Sequence, residues 1–107
     1  MPPDLKHINY VKSLTKVDIL RIDFHKERGK VTKFSLQYEA LIDNKYCRIM
    51  RIDNSHDNLP PHKHTFHSVK DETKKFIDKN PHLVYNEELK NISKNFRKIK
   101  ENYLYSS

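Results

Sequence analysis

A single glycine, Gly29, serves the whole 107-residue chain. Glycine reaches left-handed backbone conformations without steric cost, and phosphate-cradling loops and dinucleotide fingerprints need several such positions beside the ligand. A Gly-rich nucleotide site is therefore excluded, and turns must be made by Asn, Asp and Pro. The lone cysteine, Cys47, rules out an intrachain disulfide and a cysteine zinc cluster. No cleavable signal and no apolar span of about 20 residues is visible, so the reducing cytoplasm is the expected compartment. Leu, Ile, Val and Phe supply 28 residues, enough for one modest core in a single domain spanning residues 1–107. A formal charge of +7 favours a polyanionic partner.

Hydrophobic periodicity predicts an α+β fold, with a three- to four-stranded antiparallel meander packed against C-terminal helices. Residues 1–16 read as a short helix capped by Asp4, because Leu5, Ile8, Val11 and Leu14 recur every three residues, or as an extended lead-in. From Val17 the period becomes two, with Leu20, Ile22 and Phe24 on one face and Arg21, Asp23 and His25 on the other. Glu27 to Lys30 should turn the chain into a second strand. There Phe34, Leu36, Tyr38, Ala40 and Ile42 alternate with Lys33, Ser35, Gln37, Glu39 and Leu41. Asp43 to Lys45 makes the next turn, and Tyr46 to Asp53 the third strand, with Met50 and Ile52 as its apolar face. Tyr38, Tyr46 and Cys47 read as sheet packing.

After an irregular stretch from Asn54 to Pro61, His62 to Ser68 can return as a short fourth strand, which closes a sheet unit over 17–68. Residues 69–107 read as helices. One carries Val69, Thr73, Phe76 and Ile77 and stops near Asn80-Pro81. A longer one is capped by Asn86, with Leu89, Ile92, Phe96, Ile99 and Tyr103 as its core-facing stripe. Lys90, Lys94, Arg97, Lys98 and Lys100 fall in this segment with no acid among them, a candidate nucleic-acid face.

Four of the seven histidines lie between His56 and His67, the strongest chemical signal in the chain. Imidazole is the side chain whose ordinary pKa lets it take or give a proton near neutrality. On an extended His62-Lys63-His64 both imidazoles share one side and Lys63 takes the other. A turn over 54–61 would let His56 face them. An acid and a base so placed suit cleavage of RNA by its own 2′-hydroxyl, with Arg51 on the phosphate and Asp53, on the same strand face, as orienter. Arg51, Asp53, His56, His62 and His64 are thus the candidate catalytic residues, and Lys63, Lys90, Lys94, Arg97 and Lys98 the candidate nucleic-acid contacts. This reading takes no cofactor and no metal. The alternatives are a non-enzymatic RNA- or protein-binding module, and a metal protein in which His56, His67, Asp53 or Asp57 completes a His-x-His pair. A cupin-type site is disfavoured, because it wants flanking glycines and a nearby glutamate, and Glu72 falls on a predicted helix. Isolated histidines such as His7, His25 and His82 read as surface residues.

The run Arg51-Ile52-Asp53-Asn54-Ser55-His56, followed by Pro61-His62-Lys63-His64, resembles the TumE-type toxins of toxin–antitoxin pairs and related short proteins, with Ile52 in place of an aromatic. The strands at Phe34 to Asp43 and Tyr46 to Met50 extend the similarity over about residues 17–67. The chain departs from the pattern in the glycine-free stretch Asp57 to Pro60. The resemblance implies an RNA or translation target and a neutralising antitoxin. RNA, an antitoxin protein and a second copy of the chain are the expected partners, and no membrane.

Overall fold

The computed structural model describes residues 5–54, 60–67 and 72–105. Six strands, β1 (Lys6–Thr15), β2 (Asp18–Glu27), β3 (Lys30–Ile42), β4 (Lys45–Asp53), β5 (His62–Thr65) and β6 (Thr73–Phe76), form one sheet in the order β1-β2-β3-β4-β5-β6. All neighbours are antiparallel. A single helix, α1 (Pro81–Tyr105), follows and packs mainly on β3, with fewer contacts to β4. The α+β class and the meander stand, with six strands where the sequence suggested three or four.

Both β2–β3 and β3–β4 turn in two residues. Arg28-Gly29 and Asp43-Asn44 all take positive φ, the geometry that matches the twist of paired strands, and Asp and Asn tolerate it better than most residues. Alternation then divides the sheet. Leu20, Ile22, Phe24, Phe34, Leu36, Tyr38, Ala40 and Ile52 are buried on the face that receives Val84, Tyr85, Ile92 and Phe96 of the helix. Tyr38 meets Phe96 edge-on at 6.0 Å. A bulge opposite Tyr38 and Glu39 puts Ile49 beside Met50 in the core, so Arg51 and Asp53 come out on the opposite, helix-free face.

Three elements differ from the sequence reading. Residues 6–15 are a strand, the extended alternative rather than the helix, and Ile8, Tyr10 and Val11 stay exposed on this edge. The segment expected to be helical before Asn80 instead holds β6, because pairing to β5 satisfies its backbone. Proline starts α1 rather than ending a helix before it. Asn80 is the cap, its Oδ1 accepting the Leu83 N–H at 2.9 Å, and Pro81 occupies the first turn, where a missing N–H costs nothing. Tyr46 stays 46% exposed and so does not pack as expected. No helix among the described residues is long and apolar enough to cross a membrane.

Candidate functional site

The helix-free face gathers polar side chains into rows across the strands. Arg51 stands opposite Gln37 on β3 and His64 on β5, and Lys74 of β6 extends that row. Asp53 stands opposite Ser35 and His62, with Phe76 beyond. Asp53 is the hub. Its Oδ2 accepts from Arg51 Nε at 3.3 Å and Nη2 at 3.2 Å, and its Oδ1 lies 3.0 Å from His62 Nε2 and 3.9 Å from His64 Nε2. The short His62 contact makes no hydrogen bond, and Oδ1, which is buried, has no hydrogen-bond donor among the described residues. Arg51 also donates through Nη1 to Gln37 Oε1 at 3.3 Å. Gln37 in turn bonds Glu39, which takes Arg21 at 2.6 Å.

The two imidazoles meet edge-on with centroids 5.0 Å apart. His64 Nδ1 is bonded to Glu72 Oε2 at 2.9 Å. Burial pushes the His62 pKa below its ordinary value; Asp53 opposes the shift, and His64, Lys74 and Arg51 reinforce it. The shift favours the neutral ring, which has a lone pair to offer. Two aromatic rings flank the pair. Phe76, 68% exposed, lies 5.7 Å from His62, and Phe66 stacks on His64 at 6.4 Å with the Arg48 guanidinium 4.6 Å from the Phe66 ring centre.

Of the residues singled out in the sequence, Arg51, Asp53, His62 and His64 come together here, and His56 lies outside the described residues. Lys63 points to the other face, as its strand position requires, and is tied to Glu88 of α1 at 3.1 Å. Lys90, Lys94, Arg97 and Lys98 are exposed on the outer side of α1, so the sheet and helix separate them from the histidines. Lys100 leaves that run to pair with buried Asp18 at 3.4 Å. His67 contacts Thr73 at 3.2 Å. Glu72, Gln37, Lys74 and Phe76 were not anticipated. Gln37 follows from the alternation of β3 and its register with β4, whereas the place of Glu72, Lys74 and Phe76 depends on β6 joining the sheet, and their local trace is their own alternation.

Asn54 holds the end of β4 in place. Buried to 2% exposure, it accepts the Phe34 N–H through Oδ1 at 2.9 Å and donates through Nδ2 to the Thr32 carbonyl at 2.9 Å. Asn54→Ala strips a partner from both backbone groups and should lower stability by about 2 kcal/mol. The Phe34 amide should then exchange faster with deuterium than in the parent chain. An unchanged melting curve and exchange rate would contradict this anchoring role.

Among the described residues, two groups of three can converge on a cation: Asp53, His62 and His64, and His7, Asp23 and His25. The second sits at the β1–β2 edge, where His7 and His25 stack in parallel at 4.1 Å and Asp23 accepts from His7 at 3.1 Å and from Asn9 at 3.0 Å. A hollow of about 760 Å³, whose lining includes none of the histidine-cluster residues, opens between the β2–β3 turn and the start of α1, lined by Arg28, Lys30 and His82 among others. Compared with known proteins, the chain matches, over residues 4–106, a family described as a domain of unknown function, DUF7718. No curated protein and no solved structure matches it.

Proposed function

The chain belongs to the DUF7718 family, and we propose that it is a toxin-like, RNA-targeting protein that cleaves its substrate by metal-independent acid–base chemistry at His62 and His64. The observation that carries this reading is the pair of edge-on imidazoles 5.0 Å apart, sharing Asp53 with Arg51 on a sheet face that no helix covers. His62 turns Nε2 toward Asp53, which leaves Nδ1 to take the proton of a ribose 2′-hydroxyl. The freed oxygen attacks phosphorus and the bond to the 5′-oxygen breaks. His64, pinned by Glu72 through Nδ1, delivers a proton from Nε2 to that leaving oxygen. Arg51 keeps one unused N–H on each terminal nitrogen for a phosphoryl oxygen. Phe76, exposed beside His62, offers a surface on which a base can stack, with Lys74 close to its ring at 5.6 Å.

The net charge of +7 and the resemblance of residues 51–56 and 61–64 to TumE-type toxins support RNA as target and an antitoxin as partner in the cytoplasm. Purified protein incubated with RNA in EDTA should release fragments ending in 2′,3′-cyclic phosphate. Intact RNA would remove the catalytic claim. A second reading, a non-enzymatic RNA-binding module, is favoured by the exposed Lys90, Lys94, Arg97 and Lys98 on the face remote from the histidines. It gives binding without fragments, weakening steeply as salt rises and lost on Lys94→Ala with Arg97→Ala.

A further inference from the structure

The buried Asp53 Oδ1 asks for a partner that none of the described residues supplies. A buried carboxylate oxygen without a donor is costly, and such groups are rare in folded proteins. It faces two ring nitrogens. Glu72 accepts from His64 Nδ1 at 2.9 Å, so in the neutral ring, as opposed to the protonated one that serves as acid, Nε2 carries the lone pair, 3.9 Å from Asp53 Oδ1. His62 Nε2, at 3.0 Å from the same oxygen, also fails to make a hydrogen bond to it. With both rings neutral and the hydrogen of each on Nδ1, the form a cation would select, three electron-pair donors face one point.

We propose that His62 Nε2, His64 Nε2 and Asp53 Oδ1 bind one divalent cation of the zinc type. The three ligand atoms lie within 4.8 Å of one another. Donors around a tetrahedral ion at its usual bond lengths stand about 3.3 Å apart, between the two spacings that Asp53 Oδ1 makes here. Two imidazoles and one carboxylate suit zinc and its transition-metal neighbours, whereas calcium and magnesium want oxygen. The rings cross at 78°, so their lone pairs can converge. Glu72 on His64 is the outer carboxylate that histidine ligands commonly carry. Its charge offsets the Arg51 guanidinium on Asp53 Oδ2. Three protein ligands leave a fourth position for water or a phosphoryl oxygen.

The His7, Asp23 and His25 group lacks these features. Its rings are parallel within 6°, so their lone pairs do not converge, and the Asp23 oxygens already have donors. The cation also bears on the proposed cleavage. A metal on His62 Nε2 places the ring proton on Nδ1, the nitrogen assigned as base, so the loaded form should not cleave RNA by the acid–base route. Cation binding goes beyond that reading and can be measured without it.

The test uses the full chain without a polyhistidine tag, freed of metal by chelator, and titrated with zinc chloride alone. Calorimetry should give one zinc per chain, and nitrogen NMR should shift Nε2 of His62 and His64 but neither nitrogen of His7. His64→Gln and Asp53→Asn should each weaken binding at least about tenfold, and Glu72→Gln by about 10–100-fold. Far-UV circular dichroism checks folding, and His64→Gln, which keeps a polar side chain, serves if Asp53→Asn does not fold. No uptake at micromolar zinc, or uptake undiminished in His64→Gln, overturns the site. RNA cleavage in EDTA is read separately, so either result can fail alone.

Discussion

Alanine at both His62 and His64 should slow RNA cleavage by about 10²–10⁴-fold, the contribution of a positioned acid and base. The effect should be large because proton removal and proton delivery are lost together. Each imidazole faces the helix-free side, so removing it opens no cavity among the helix-facing core residues. Binding to an uncleaved RNA analogue should persist, since the guanidinium of Arg51 and the exposed ring of Phe76 remain. His7→Ala is the control, being on the far edge of the sheet. Single-turnover rates in EDTA give the measurement. A double variant that cleaves at the parent rate would assign any activity to a contaminant or to other residues.

Asp18→Ala should lower stability by about 3–5 kcal/mol, the cost of removing one partner of a buried ionic group. Asp18 is 4% exposed, accepts from Thr15 and from Tyr38 Oη at 2.6 Å, and lies 3.4 Å from Lys100 Nζ. These contacts join the β1–β2 corner, the core of β3 and the C-terminal half of α1 at one carboxylate. The same node sets two pH limits. Burial by itself would raise the Asp18 pKa. The hydrogen bonds from Thr15 and Tyr38 and the Lys100 ammonium overcome that and hold it below its ordinary 3.8. A carboxyl depressed in the folded state stabilises fully above its unfolded pKa, and that stabilisation is lost as pH falls further. Burial first, then Asp18, pushes the Tyr38 phenol far above its ordinary 10.0, with Arg97 opposing. Its contribution is complete below pH 10 and is lost as pH rises beyond it. Thermal melts should therefore separate parent and Asp18→Ala widely at neutral pH and bring them together below about pH 4. A constant gap across the acid range would show that Asp18 is not held ionised by these partners.

Much of the sheet could be read before its coordinates. Alternation at Leu20, Ile22 and Phe24, and from Phe34 to Ala40, marked the core face because the pleat sends successive side chains to opposite sides whatever lies above them. The same rule placed His62 with His64, and Arg51 with Asp53. It failed at Ile49, where one extra residue resets the count. The three-residue spacing at the N-terminus misled because β1 is an edge strand, so Ile8 and Val11 stay exposed and only Leu14 of that series packs on the core, instead of all four defining a buried stripe. The Thr73–Phe76 segment carries no strong period, and its strand state comes from backbone pairing with β5. Pro81 reads equally as a stop and as a first-turn residue until Asn80 is seen to cap.

Local order along the chain thus determined which residues share a face and which residue types stand ready for chemistry: two imidazoles, a guanidinium and a carboxylate on one side of two short strands. Tertiary structure decided that α1 covers the opposite side, that β6 carries Glu72 to His64, and that Asp53 Oδ1 is sealed between two rings without a donor. The division has a physical cause. Side-chain direction in a strand follows from the dihedrals of each residue, whereas strand partners, helix placement and desolvation depend on contacts between residues distant in sequence.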